Sequence, residues 1–262
     1  MTARAFQLAG AILALTAACA TAETPPAGRL NFVACPIARD TRTVPCWLTE
    51  YKGKLYYLGI QFDATAEFYP PYLGHKALVE GIVSNEPSVC GGIVLKPVKV
   101  SVIPDLDPSC NTLLPADDRY QIADAPRGPG PRYHRQTYTP RPPPPPLTPP
   151  YQARDFVVLY DYDSELGSRS LPAITEAMTY AKQIKASHVR VTGYRGSALL
   201  SDGARLEEAA YLPEHRARRL ADTLTQIGVV ASTISVAWKD QPDRGDGVDD
   251  FKLRRAVIHV GP

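Results

Sequence analysis

The sequence lacks the motifs that mark several enzyme and cofactor-binding classes. It contains no G-x-S-x-G nucleophile elbow, no H-E-x-x-H zinc motif and no glycine-rich phosphate loop with its lysine. The five histidines stand at no metal-ligand spacing, and the acidic stretch 243–250 lacks the spacing of an EF-hand. We therefore expect a protein that is not an enzyme and that holds no cofactor and no metal. The alternative, a hydrolase in the first half of the chain, needs an acid–base cluster that no motif singles out.

The sequence also lacks a large excess of positive or negative charge and, beyond the N-terminus, a long apolar segment. The 29 Lys and Arg residues nearly balance the 27 Asp and Glu residues, for a formal net charge of +2 over 262 residues. A dedicated nucleic-acid-binding domain is usually strongly basic, so we expect no nucleic-acid partner. Beyond the N-terminus no apolar run reaches the roughly 20 residues of a membrane-spanning helix, so we expect no transmembrane helix in the mature chain.

The N-terminus has the three parts of a secretory signal peptide. Arg4 supplies a positive charge, residues 6–15 form an apolar core, and Ala20-Thr21-Ala22 fits a cleavage site. We expect residues 1–22 to be removed, so that the mature chain begins after Ala22. The mature protein is then exported to an oxidising compartment, where disulfides form and persist.

Cys19 offers a different way of processing the same segment. The sequence Leu15-Thr16-Ala17-Ala18-Cys19 is similar to a lipoprotein processing box, except that Thr16 stands where leucine is usual. Lipidation at Cys19 would attach the chain to a membrane surface. Simple secretion is our expectation, and lipidation is the alternative.

The remaining cysteines form an even set. Removal of the signal peptide leaves Cys35, Cys46, Cys90 and Cys110, all in the first half of the chain. Four cysteines in an exported protein predict two disulfides, with three possible connectivities. We favour sequential pairing, which closes two short loops. The alternative is a metal site of four thiolates, but no C-x-x-C spacing supports it.

Proline divides the chain into two halves. Eleven of the 26 prolines fall between Pro126 and Pro150, together with four arginines. Proline fixes φ and lacks the N–H group, so this segment cannot form a helix or a central strand. We expect residues 124–153 to be an extended, basic linker between two domains. The alternative use is as a polyproline ligand for an aromatic groove.

Residues 30–120 show the short alternating strands of an all-β domain. Residues 46–51 and 54–60 flank Lys52-Gly53, which predicts a hairpin. Residues 77–83 and 92–95 flank a second turn, and residues 98–102 alternate apolar and polar side chains. No stretch has helical periodicity. We expect a small disulfide-stabilised β-barrel or β-sandwich.

Residues 154–262 alternate strands and helices. The expected strands cover residues 156–160, 189–191, 234–238 and 256–260, and the expected helices cover residues 171–185 and 213–227. Ser170 is placed to cap the first helix, and Gly228 to end the second. The order β-α-β-α-β-β predicts an α/β sandwich with one helical layer, so the whole protein is expected to be a two-domain α+β chain.

Four motifs in this second half point to a family. Residues 159–164, LYDYDS, are similar to a strand ending in F-D-x-D-S, and residues 189–194, VRVTGY, to a strand leading into a G-[HY]-T-D turn. Residues 212–217, LPEHRA, match an L-S-x-x-R-A helix start, and residues 253–258, LRRAVI, parallel a terminal N-R-R-V-E-I strand. Residues 154–262 thus resemble a divergent C-terminal OmpA-like domain, the peptidoglycan-anchoring module of bacterial envelopes.

The resemblance implies a ligand and two residues that would hold it. In that family an Asp of the turn and the Arg of R-A clasp the diaminopimelate of the peptidoglycan peptide stem, by charge-assisted hydrogen bonds. Arg216 fits the second role. The Asp is missing, because the turn reads Gly193-Tyr194-Arg195-Gly196, and residues 197–211 contain about five more residues than the family pattern. Possible substitutes and neighbours complete the candidate ligand-binding set: Arg216, Asp202, Asp161, Asp163, Tyr194 and Arg255.

The leading functional hypothesis follows from these features together. It is a non-catalytic protein of the periplasm that contacts peptidoglycan, or a related envelope ligand, through a degenerate OmpA-like domain. The missing Asp supports the alternative, a protein-interaction or assembly module that has lost peptidoglycan binding and has an envelope protein as its partner. Association with the outer membrane depends on the lipidation alternative at Cys19.

Overall fold

The structure is a computed structural model that describes residues 23–42, 44–60, 71–117, 119–120, 148–167 and 170–262. The predicted signal peptide, Cys19 and most of the predicted linker lie outside the described residues, so those interpretations stay predictions. No helix in the part of the chain that the structure describes is long and apolar enough to cross a membrane.

The first half of the chain forms one seven-stranded sheet. Its strands are β1 (Arg29–Ala34), β2 (Pro36–Arg39), β3 (Cys46–Tyr51), β4 (Lys54–Ile60), β5 (His75–Val83), β6 (Ile93–Leu106) and β7 (Thr112–Leu114). They lie in the order β1-β5-β6-β4-β3-β2-β7. The β4–β6 and β2–β7 pairs are parallel, and the other pairs are antiparallel.

The β3–β4 hairpin is the one predicted from the sequence. Lys52 and Gly53 have φ angles of +49° and +70°, the left-handed pair that a two-residue hairpin turn requires. The strands predicted at 92–95 and 98–102 are instead one long strand, β6. Pro97 is accommodated within β6 because the register with β5 shifts between Gly81 and Val83.

The sheet curls around a main apolar core, and Cys46, Leu48 and Cys90 form a second, smaller buried cluster. Buried side chains from six strands, including Phe32, Trp47, Leu58, Val79 and Val100, form one cluster. A single sheet that supplies its own core agrees better with the barrel-like expectation than with a sandwich of two sheets.

The two expected disulfides are present, but the favoured sequential pairing is wrong. The bridges are Cys35–Cys110 and Cys46–Cys90, separated by 75 and 44 residues. Strand pairing explains the first bridge. Ile37 of β2 lies opposite Thr112 of the parallel strand β7, so the cysteines two residues before each come side by side. Loop length along the chain carries no information about this neighbour relation.

The second half contains β8 (Arg154–Leu159), α1 (Leu171–Ile184), β9 (His188–Gly193), β10 (Ser197–Leu199), β11 (Arg205–Glu207), α2 (Leu212–Gln226), β12 (Ile234–Trp238) and β13 (Arg255–Gly261). The main sheet has the order β12-β9-β13-β8, and β10 and β11 form a separate hairpin. Both helices pack on the main sheet and share its apolar core. The expected order of elements is observed, with the β10–β11 hairpin inserted between β9 and α2.

The helix termini differ in detail from the expectation. Ser170 precedes α1 but makes no capping hydrogen bond to it. Its hydroxyl oxygen instead accepts a hydrogen bond from the Leu159 N–H at 2.8 Å, so this serine ties the helix start to β8. At the other helix, Gly228 follows the last turn with a φ of +96°, as expected for a glycine that ends a helix.

The two halves pack against each other through polar and apolar contacts. Arg254, just before β13, forms a buried ion pair with Glu80 of β5, with N–O distances of 2.5 and 3.3 Å. The Asn31 amide donates hydrogen bonds to the carbonyl oxygens of Leu199 and Gly247. The predicted domain boundaries, 30–120 and 154–262, therefore enclose two halves that share an interface, and the boundaries themselves stay a prediction.

We expect Glu80→Ala to destabilise the protein by about 3–5 kcal/mol, because it leaves the Arg254 guanidinium buried and unpaired. The control is Glu86→Ala, which removes an exposed pair with Lys96 and should cost less than about 1 kcal/mol. Urea unfolding of the oxidised mature protein measures both. Equal small losses for the two variants would contradict a buried pair at the interface.

Candidate functional site

The site around Arg216 begins with a close contact between β9 and α2. Gly193 ends β9, and a Cβ atom there would lie 1.8 Å from the Pro213 carbonyl oxygen. Only glycine allows the first turn of α2 to come this near to the strand. Leu212 and Ala217 are buried on the same side of the helix, which directs Arg216 into the protein.

The Arg216 side chain is fully buried and makes four hydrogen bonds. Nε donates to the Ser164 carbonyl oxygen at 2.9 Å, and Nη1 donates to the Tyr194 carbonyl oxygen at 2.9 Å. Nη1 and Nη2 also donate to the two carboxylate oxygens of Glu208, at 2.9 and 2.6 Å. The pair is bidentate, and the exposed fraction of both side chains is 0%.

The Glu208 carboxylate is as fully satisfied as its partner. Besides the two bonds from Arg216, it accepts hydrogen bonds from the backbone N–H groups of Gly196 at 2.9 Å and Asp163 at 3.2 Å. A carboxylate has about four acceptor positions, so no strong position is left for another donor. The Arg216–Glu208 pair is therefore complete within the chain.

The inserted hairpin explains how Glu208 reaches this place. Residues 197–211, which exceed the family pattern, form β10, β11 and the segment that leads into α2. Arg195 donates to the Glu208 carbonyl oxygen at 2.7 Å, and the Ala209 N–H donates to Asp163 at 2.8 Å. These bonds hold the hairpin base across the turn after β9, with the Glu208 side chain directed at Arg216.

Tyr160 covers the guanidinium from one side. The Arg216 Cζ lies 4.5 Å from the centre of the Tyr160 ring, a cation–π contact. Burial raises the pKa of Tyr160 to about 12, despite the opposing effect of the nearby arginine charge. Tyr160 therefore stays neutral, and Glu208 is the group that balances the charge of Arg216.

The structure brings some of the other candidate residues together and separates one. Tyr194 lies between Arg216, which binds its carbonyl oxygen, and Arg255, whose guanidinium is 4.5 Å from its ring. Arg255 also pairs with Asp243 at 2.8 Å. Asp202 lies at the exposed tip of the β10–β11 hairpin and accepts a hydrogen bond from the Ala204 N–H. It therefore caps this turn, and it is not among the hydrogen-bond partners of Arg216 within the described residues.

Asp161 and Asp163 line a large cleft between the two halves of the chain. The cleft has a volume of about 1200 Å³ and contains side chains from the loop after β8, from α2 and from the curled sheet. Glu165, on the same wall, pairs with His215 at 3.2 Å and with Arg219 at 3.4 Å. Two of the three carboxylates that the sequence offered as substitutes, Asp161 and Asp163, thus lie at this cleft, while Arg216 is buried away from solvent.

Burial changes the acidity of one carboxylate in the cleft. Asp163 is half-buried, and desolvation raises its pKa above the usual aspartate value, although the hydrogen bond from Ala209 opposes the shift. Glu208 adds a like charge that raises the pKa further.

Glu208 is a site residue that no sequence motif indicates. It lies in the inserted segment, outside every family motif, and nothing in its neighbours along the chain marks it as buried. Two features of the sequence together could have indicated Glu208. The turn after β9 lacks the aspartate of the family pattern, and the insertion that follows contains Glu207 and Glu208. Within the described residues, no group of three or more His, Cys, Asp or Glu side chains could hold a metal ion.

Comparison with known proteins finds similarity only at the level of structure. No family model and no curated protein matches the chain. The OmpA-like domain of FopA1 from Francisella tularensis is similar over 42% of this chain and 73% of that chain, with 19% identity and a TM-score of 0.33. The periplasmic domain of Helicobacter pylori MotB is similar over 42% and 81%, with 18% identity and a TM-score of 0.30. The cell wall anchor of the T6SS from Pseudomonas aeruginosa is similar over 42% and 82%, with 18% identity and a TM-score of 0.33.

We expect either single variant, Arg216→Met or Glu208→Leu, to destabilise the protein by about 3–5 kcal/mol, since each leaves one buried charge unpaired. The double variant should recover much of that loss, because two apolar side chains then replace the pair. Urea unfolding of all four proteins gives the coupling free energy. Additive losses would show that the two side chains do not act as a pair.

We expect the stability of the Asp163→Asn variant, relative to the wild type, to increase as pH rises. The folded state holds the Asp163 proton more tightly than the unfolded chain, so wild-type stability falls as pH rises from about 4 through the raised pKa. Asparagine keeps the acceptor for Ala209 and has no proton to lose. The difference in unfolding free energy, variant minus wild type, should increase over this range and then stay constant. Unfolding measured between pH 3.5 and 7.5 checks this, and a difference independent of pH would contradict it.

Proposed function

We propose that this chain is a non-catalytic protein of the bacterial cell envelope whose OmpA-like half serves as an interaction or assembly module. In this proposal Arg216 does not bind the diaminopimelate of peptidoglycan. The observation that carries the proposal is the buried Arg216–Glu208 pair, in which every strong hydrogen-bonding position of the carboxylate is used inside the chain.

The chemistry of the pair supports this reading of the site. The resemblance implies that Arg216 would bind a carboxylate of the ligand. Glu208 presents a carboxylate to the same guanidinium in bidentate geometry, so it takes the part that the ligand would otherwise play. A ligand would have to displace a fully buried, fully bonded side chain, and the inserted hairpin holds that side chain in place.

Features outside the site support an envelope location. The N-terminal sequence has the pattern of a secretory signal, and the two disulfides fit an oxidising compartment such as the periplasm. The absence of catalytic motifs in the sequence agrees with a module that binds and does not catalyse.

A second candidate function is peptidoglycan binding at the cleft between the halves. Asp161, Asp163 and Glu165 line this cleft, and carboxylates would attract the ammonium groups of peptide stems. This mode would not use Arg216. It differs from the first proposal in that wall fragments should bind, and binding should depend on the cleft carboxylates.

Co-sedimentation with diaminopimelate-type peptidoglycan tests the proposal. We expect the mature wild-type protein to stay in the supernatant, because the guanidinium is already neutralised. Glu208→Ala is the decisive variant. If Glu208 only occupies the position of a ligand carboxylate beside Arg216, its removal should produce binding that the double variant Glu208→Ala/Arg216→Ala lacks. Circular dichroism checks that each variant is folded.

Two results would count against the proposal in different ways. Wild-type binding that Arg216→Ala abolishes, with the fold retained, would show that Arg216 is a ligand residue after all. Wild-type binding that Arg216→Ala leaves unchanged and Asp161→Asn weakens would favour the cleft. Crosslinking in intact cells then tests the interaction module, for which we expect a specific protein partner without association with the cell wall.

A further inference from the structure

A smaller pocket lies away from the OmpA-like motifs, beside the β3–β4 hairpin. It has a volume of about 340 Å³ and is enclosed by residues 24–30, by the hairpin side chains of Tyr51, Lys52, Lys54 and Tyr56, and by Ser201 of the second half. This volume is at the lower end of the range for pockets that bind small molecules. The pocket plays no part in the proposed function.

Tyr51 contributes a hydroxyl group that no described residue satisfies. Its ring stacks on Phe32, with ring centres 4.4 Å apart and planes at 14°, so the aromatic part is held in place. Its hydroxyl oxygen is buried and has no hydrogen-bond partner among the described residues. Such a group is uncommon in a folded protein and costs stability, so this hydroxyl is available to a partner that the described residues do not supply.

The charged side chains that line the pocket are all positive: Arg29, Lys52 and Lys54. No carboxylate is among the residues that line it. Arg29 pairs with Asp249 at 3.1 Å, whereas no ion pair involves Lys52 or Lys54 within the described ranges of the chain. The Lys52 ammonium lies 5.2 Å from the centre of the Tyr51 ring. The pocket therefore has two unneutralised ammonium groups next to an unsatisfied hydroxyl.

Tyr56 adds a second hydroxyl to the same cluster. Burial raises the pKa of Tyr56, and the neighbouring Tyr51 raises it further, while Lys52 lowers it. At neutral pH the Tyr56 hydroxyl thus keeps its proton and remains a donor. The two ammonium groups and the Tyr56 hydroxyl can donate to an acceptor oxygen in the pocket. The Tyr51 hydroxyl can also donate, once a ligand displaces the side chains that bury it.

We propose that this pocket binds a small organic anion, with Lys52 and Lys54 neutralising a carboxylate or phosphate group and the hydroxyls of Tyr51 and Tyr56 donating to its oxygens. The apolar side chains of Pro25, Pro26 and Leu30 form part of the lining and suit a ring-shaped or apolar body attached to the anionic group. A bare anion fills only part of the volume, so phenyl phosphate should bind more tightly than inorganic phosphate.

Calorimetric titration of the oxidised mature protein at constant ionic strength tests this site. The probes are phenyl phosphate, benzoate and inorganic phosphate, with phenol as the neutral analogue. We expect saturable binding of the anions, strongest for phenyl phosphate, and none of phenol. Tyr51→Phe and the double variant Lys52→Ala/Lys54→Ala should each weaken binding about tenfold or more, as expected for the loss of a charge-assisted hydrogen bond.

Matched controls separate a binding role from a structural one. Tyr72→Phe alters a tyrosine that is 67% exposed and outside the pocket, and Lys96→Ala alters an exposed lysine paired with Glu86; neither should change binding. Tyr51→Phe should not lower the Tm of the unliganded protein, because it removes an unsatisfied hydroxyl. A lowered Tm with unchanged anion binding would assign Tyr51 a structural role and overturn the proposal.

The source of the anion is distinguished by a second arm of the experiment. Flotation with phosphatidylglycerol vesicles tests a lipid headgroup, and titration with phenyl phosphate tests a soluble ligand. Binding in either arm that Tyr51→Phe weakens supports the pocket. The proposal fails if no anion binds saturably, if binding depends only on ionic strength, or if the Tyr51 and lysine variants bind as tightly as their controls.

Discussion

The buried pair of Arg216 and Glu208 is the interaction on which the second half of the protein depends. Two opposite charges without solvent exposure are tolerated only when good geometry and further hydrogen bonds offset the lost hydration. Here the pair is bidentate, and both side chains make further hydrogen bonds to the backbone. The pair joins four parts of the chain: the loop after β8, the turn after β9, the inserted β10–β11 hairpin and the start of α2. Moving any one of these parts would leave a charge unsatisfied.

A second buried pair repeats this arrangement between the halves. Arg254, from the terminal arginine motif, is neutralised by Glu80 of the curled sheet. Both arginines lie at positions where the sequence resembles the OmpA-like pattern, and both glutamates lie outside that pattern. The chain thus keeps these two arginines and pairs each of them with one of its own glutamates. This is the physical basis for proposing an interaction module in place of a receptor for a charged peptide stem.

Much of the fold could be predicted because its signals are local. The Lys52-Gly53 turn sets the β3–β4 hairpin, and the apolar period of the second half sets two helices that the structure places within one residue of expectation. The predictions that were wrong concern which residues of the chain contact each other. The cysteines pair according to strand order, and Ser170 bonds to β8 instead of capping α1. Sequence separation says little about either contact.

The periodic elements, the four cysteines that form the two disulfides, the motif arginines and the absence of the usual turn aspartate can all be read from the sequence. Which side chains neutralise those arginines depends on the tertiary structure. Glu80 and Arg254 are 174 residues apart, and Glu208 reaches Arg216 through a hairpin that no motif describes. Strand period and turn residues act over a few positions, so they can be read from the sequence. The neutralisation of a buried charge depends on which distant side chain the completed fold brings within hydrogen-bonding distance.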